Sequence, residues 1–202
     1  MKKLLAIVLC MLVCTASLIV GASASEIYTV VKGDSMWKIA VKYEVGLSEI
    51  INANPHIKNP DLIYPGQVLN IPVTDTAVLN YEKEVVRLVN EIRRQNGLTE
   101  LKSDWQLSRV ARIKSEDMRD NKYFSHTSPT YGTPFQMMKS FGITYRSAGE
   151  NIARGQSSPQ AVVNAWMNSS GHRANILNPS FTHIGVGYAE PGRYWTQMFI
   201  RK

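Results

Sequence analysis

The chain has 202 residues, 44% of them hydrophobic and 19% charged, and a net charge of +7 at pH 7. That length holds one domain plus a small module, and the composition excludes a collagen-like, low-complexity or extensively disordered protein. Leaving out Lys2 and Lys3, 21 basic residues face 16 acidic ones. With no Lys/Arg cluster and no zinc-finger spacing, no nucleic-acid partner is expected, whereas diffuse positive charge suits an anionic envelope polymer.

Residues 1–24 open with Lys2 and Lys3, continue as an apolar run and end in Ala22-Ser23-Ala24. A basic start, an apolar stretch and a small-residue cleavage site predict a secretory signal peptide over residues 1–24. After cleavage no stable transmembrane segment is expected. Cys10 and Cys14, the only cysteines, both lie in this segment, so the mature chain must fold without disulfides.

Residues 28–72 predict a strand, two short helices and a closing strand. Residues 28–31 are β-prone, Gly33-Asp34 marks a turn, and Ser35 is a candidate N-cap. Met36, Ile39, Ala40 and Tyr43 then share one helical face. Gly46 interrupts, Ser48 is a candidate cap for a second helix, and Asn54-Pro55 ends it. Tyr64-Pro65-Gly66 reads as a turn before the alternating strand Val68-Leu69-Asn70-Ile71. Trp37 is expected on the inner side of the first helix.

The stretches YTVVKGDSMWKIA and NPDLIYPGQVLNIP resemble the two ends of a LysM domain, with Met36 where leucine is common. The resemblance implies a βααβ module that binds N-acetylglucosamine glycans such as peptidoglycan or chitin-like polymers. It implies a groove between two loops, here Gly33, Asp34, Ser35 and Met36 on one side and Asp61, Leu62, Ile63 and Tyr64 on the other.

A short, mildly polar linker is expected at residues 73–79, with the second domain over residues 80–202. Val85, Leu88, Val89 and Ile92 make the apolar face of a helix that Arg93, Arg94 and Gly97 close. A second helix, beginning after Ser103 or Asp104 and reaching about Asn121, turns Leu107, Ala111 and Met118 inward. A short helix is expected around Met137 and Met138, and a strand near Ile152. Ser158 and Pro159 start a further helix with Val162, Val163 and Trp166 inside. Two strands, HIGVGYA and YWTQMFI, finish the chain. Helices on a small antiparallel sheet predict an α+β domain, with Trp166 and Trp195 in its core.

YFSHTSP, AGENIA, WMNSSGHRANILNPSFTHIGVG and YWTQMF resemble the motifs of a CAP domain, the SCP-like fold of cysteine-rich secretory and pathogenesis-related-1 proteins, in its cysteine-free bacterial branch. The resemblance implies a three-layer α-β-α sandwich with a cleft lined by two histidines and two acidic residues. His126, Glu150 and His172 match three of these. The second acid has no counterpart, because Asn168 and Ser169 stand there, and this weakens any two-carboxylate hydrolysis.

His126, Glu150 and His172 are expected to converge from polar, glycine-marked loops, supported by Ser125, Asn151 and Arg173. His183 is read as structural. Two imidazoles and one carboxylate can relay a proton or supply three ligands to a metal, zinc rather than calcium. Together the resemblances imply a secreted protein of the cell wall or spore envelope. Its LysM domain would hold glycan and its CAP cleft would meet a lipid, peptide or protein; the alternative is a LysM-targeted hydrolase of wall polymer or peptide.

Overall fold

The structure is a computed structural model that describes residues 25–202. The signal peptide expected over residues 1–24 lies outside the described residues. Among the described residues no helix is long and apolar enough to cross a membrane.

The first module runs β1 (Ser25–Thr29), α1 (Met36–Tyr43), α2 (Leu47–Ala53) and β2 (Val68–Pro72). The two strands pair antiparallel, Tyr28 opposite Leu69. Ser35 caps α1, its hydroxyl accepting from the Lys38 N–H. Met36, Ile39 and Ala40 then bury against Val30, Ile50, Leu69 and Ile71. Each large aliphatic buried this way contributes about 1.5–3 kcal/mol, which lets so small a core hold without disulfides.

Two local expectations are corrected. Gly46, not Ser48, caps α2, and the Glu49 carboxylate reaches back to the Gly46 N–H at 2.9 Å. Trp37 does not pack inside: it is 52% exposed. The buried face of α1 is set by residues 36, 39 and 40, and the position after 36 lies one helical step, about 100°, around from it.

α3 (Thr76–Gln95) begins at an Asp75 cap that accepts from the Ala77 N–H at 2.6 Å. The connection expected at 73–79 is therefore three residues followed by the first turn of a helix. After α3 come β3 (Lys102–Ser103), α4 (Trp105–Asp120), α5 (Pro134–Ser140), β4 (Ser147–Arg154), α6 (Pro159–Met167), α7 (Ser170–Ile176), β5 (His183–Ala189) and β6 (Tyr194–Arg201). The sheet order is β3-β5-β6-β4. β4, β5 and β6 are antiparallel, but β3 joins β5 in parallel.

Helices cover both faces of this sheet. On one, Val85, Leu88 and Val89 of α3 and Val162, Val163 and Trp166 of α6 meet Ile184, Val186, Trp195 and Phe199. On the other, Leu107, Val110 and Ala111 of α4 and Met137 and Met138 of α5 meet Met198 and Ile200. The result is a three-layer α-β-α domain behind a small βααβ module. α4 lies unusually close to the sheet because Gly185 and Gly187 face it: a Cβ on either would come within 2.3 or 2.1 Å of α4 backbone atoms.

Candidate functional site

β4 is an edge strand, and the side chains of its successive residues point to opposite faces. Glu150, opposite Met198, falls on the α4 side. Asn151, opposite Gln197, falls on the α6–α7 side. Two neighbours in sequence thus do different work.

Glu150 is buried, with 2% of its side chain exposed, and its Oε1 lies 2.7 Å from Nδ1 of His126. Its Oε2 is buried with no hydrogen-bond partner. Burial pushes the Glu150 carboxyl above the usual carboxylate range, while the His126 hydrogen bond and the charges of Lys114 and His126 pull the other way. The His126 side chain is 53% exposed. An imidazole held at Nδ1 by a buried carboxylate has its Nε2 free to accept or donate a proton, or to hydrogen-bond a polar ligand.

The loop carrying His126 is fastened to α4. Lys114, fully buried, donates from Nζ to the Tyr123 hydroxyl at 2.9 Å and to the Ser125 carbonyl at 2.8 Å. Burial lowers the Lys114 pKa, opposed by Glu150 and Asp117. Burial alone would raise the Asp117 carboxyl; hydrogen bonds from Tyr123, Ser128, Thr130 and Asn121 more than offset this and leave it lowered. Lys114 and Asp117 escaped the sequence reading, which saw only a helix face. Their signal was two ionisable residues three apart on the side of α4 that carries Leu107, Ala111 and Met118.

His172 lies on α7, which packs against β4 from the other side through a polar lattice. Asn151 donates to the His172 carbonyl at 3.1 Å and to Gln197 Oε1 at 3.0 Å. Asn175 donates to Asn151 Oδ1 at 2.8 Å and to the Glu150 carbonyl at 3.2 Å. Buried Arg93 at the end of α3 donates to the carbonyls of Ile176 and Asn178, holding the C-terminal end of α7. Burial lowers the His172 pKa, and the charge of His126 lowers it further.

Glu150 and His172 therefore sit on a strand and a helix, not on loops. Gly149 does permit a close approach, since a Cβ there would meet the Phe181 ring at 3.0 Å; Gly171 faces open space. Among the described residues no three His, Cys, Asp or Glu side chains gather closely enough to hold a metal ion. His126 and Glu150 pair with each other, and with His172 they do not form such a cluster. Asn151 is fully buried, held between Gln197 and the His172 carbonyl. Exposed Ser125 turns its hydroxyl to the Thr127 N–H, and Arg173 donates to the Met167 carbonyl. His183 starts β5, its ring against the Thr182 hydroxyl.

In the first module, the expected glycan loops divide into scaffold and surface. The Asp34 carboxylate accepts from the Val31 N–H and the Tyr28 hydroxyl, and it is held below the usual carboxylate range by those bonds. Gly33 takes a φ of +93° in this turn, a conformation that suits glycine. The Met36 side chain is buried, which removes it from the surface, and Ile63 packs on the core. Leu62 and Tyr64 are half-exposed, and Asp61 is exposed.

The CAP family, described as the cysteine-rich secretory protein family, matches residues 86–199, and the LysM domain matches residues 28–72. The Bacillus subtilis (strain 168) protein YkwD is 63% identical over 127 residues, covering 63% of this chain and 49% of that protein. The chain thus spans about half of that relative. SpoIVD-associated factor A of the same strain is 49% identical over 47 residues, 23% of this chain and 12% of that protein. Among solved structures, an extracellular protein containing a SCP domain from Bacillus anthracis str. Ames has a TM-score of 0.61 at 38% identity, covering 68% of this chain and 47% of that one. Motifs, three-layer fold and family match agree: the chain belongs to the cysteine-rich secretory protein (CAP) family and carries a LysM domain ahead of its CAP domain.

Proposed function

We propose that this is a cell-wall protein whose LysM domain grips the N-acetylglucosamine glycan of peptidoglycan and whose CAP domain presents the His126–Glu150–His172 cleft to a second ligand at the wall. The observation that carries the glycan reading is the loop pair of the LysM domain. One loop is a rigid turn braced by Asp34 and Ser35, and the other leaves Leu62 and Tyr64 half-exposed. Exposed apolar side chains beside a polar group such as exposed Asp61 suit a sugar carrying an N-acetyl methyl and amide. For the cleft, a solvent-facing imidazole backed by a buried carboxylate suits a polar group on a lipid, peptide or protein. Spore envelope is a second wall location that the likeness of the LysM segment to SpoIVD-associated factor A supports.

A second reading, a LysM-targeted hydrolase of wall polymer or peptide, draws on Glu150, whose raised carboxyl and unpaired Oε2 lie beside an exposed imidazole. Residues 25–202 incubated with purified sacculi separate these readings. Binding predicts co-sedimentation that Leu62→Ala and Tyr64→Ala together reduce about tenfold, a loss of about 1.4 kcal/mol, with no new soluble fragments by mass spectrometry. Fragments released by the wild type and not by Glu150→Gln would establish the hydrolase. No sedimentation at all would overturn the glycan reading.

A further inference from the structure

Trp37 stands half-exposed on α1, directly after the loop formed by residues 33–36. It lines a groove of about 410 Å3 whose opposite wall belongs to the CAP domain. That wall presents Trp105, the first residue of α4, and Phe141, the C-cap of α5. Ser48, Gln106, Arg109 and Ser140 supply the polar side chains of the lining. The Arg109 guanidinium lies over the Phe141 ring, 5.2 Å from its centroid, and is ion-paired to Glu49 at 2.6 Å. Its charge is therefore met, and no other side chain lining the groove is ionisable. The volume lies within the range of ligand pockets, roughly 300–1,000 Å3.

We infer that this groove is a composite glycan subsite, in which Trp37 of the LysM domain and Trp105 of the CAP domain stack on a neutral N-acetylhexosamine chain. The inference rests on the glycan reading above and extends it to the boundary between the domains. The chemistry selects the occupant. Sugar rings offer flat C–H faces to indoles, while their hydroxyl and amide groups need partners such as Gln106, Ser48 and the Arg109 N–H groups. An anionic polymer would call for uncompensated positive charge, and Arg109 is already paired. A lipid chain would call for a lining without these polar groups.

The test is titration of residues 25–202 with chitohexaose, followed by indole fluorescence and calorimetry. Trp166 and Trp195 are buried, so a fluorescence change reports on Trp37 and Trp105. Wild type should give a saturable change. Trp37→Ala and Trp105→Ala should each weaken affinity about tenfold, as truncation of an aromatic anchor does. Trp37→Phe should retain most of it, and Gln106→Ala, which leaves both indoles in place, should weaken it severalfold. Unchanged affinity in both Trp→Ala variants, with loss in Tyr64→Ala, would overturn the subsite and leave the LysM reading standing. So would sacculus binding by wild type without chitohexaose binding. Self-association abolished by Trp37→Ala would give the groove to a second copy, again overturning the proposal. Failure to bind both sacculi and chitohexaose would remove the glycan reading itself.

Discussion

Glu150 has one oxygen on His126 and one buried with no partner, so its protonation is tied to its neighbours. The His172 pKa is lowered as well: burial is the larger cause and the His126 charge the smaller. His126→Gln should therefore raise the His172 titration midpoint, followed by NMR of its ring protons, while leaving it below the ordinary imidazole value. An unchanged midpoint would separate the two rings. The same shift has a consequence for stability. The unfolded chain takes up a proton at His172 near the ordinary imidazole pKa, but the folded chain does so only at lower pH. Stability from this group is thus full at neutral pH and falls as pH drops from the ordinary value through the lowered one. His172→Asn should flatten the acid side of a melting-temperature profile between about pH 7 and 5.

The element that ties the site together is α4, which carries Lys114 and Asp117 on the same body that meets β5 through Gly185 and Gly187. A methyl group at Gly187 would lie 2.1 Å from the Arg112 backbone nitrogen, so the helix itself must move. Gly187→Ala should cost about 2–3 kcal/mol in chemical denaturation and loosen the His126 loop; a change below 0.5 kcal/mol would contradict so tight a contact. Most elements were legible because their signals are local: Ser35, Asp104 and Ser158 cap where capping chemistry predicts, and the faces led by Met36, Val85, Leu107 and Val162 are buried. Trp37 was misjudged because hydrophobicity argued for burial while helical phase, set by Met36 and Ile39, argued against it. α7 was not separated from α6 because its seven residues carry one buried apolar side chain, Ile176. Of the candidate site, the motifs singled out His126, Glu150 and His172, of which His126 and Glu150 meet directly. Lys114 was not, since its partners at Tyr123 and Ser125 become neighbours only when the loop folds back.

At the scale of the whole molecule, the two domains meet across Arg109 and Glu49. Glu49 serves twice: Oε2 accepts from the Gly46 N–H and Oε1 from Arg109. The Arg109 guanidinium lies against Gly46, where an added Cβ would come within 2.2 Å of it. Arg109→Ala should leave both domains folded yet speed proteolytic cutting between Val73 and Asp75, measured by fragment mass and by retained cooperative unfolding. Equal cutting rates would show that the ion pair does not restrain the domains. The connection from β2 to α3 is only residues 73–75, which even fully stretched spans about 10 Å. A protein so built has almost no tether. On the proposed reading, in which the first domain holds a glycan strand, the CAP domain would sample only a shell about one domain deep, on the order of 30–40 Å. What the cleft encounters is then governed by the spacing of strands in the mesh and by what is anchored beside them, as a short linker fixes effective concentration by geometry. Lengthening residues 73–75 with a flexible insert would widen that shell without altering either domain.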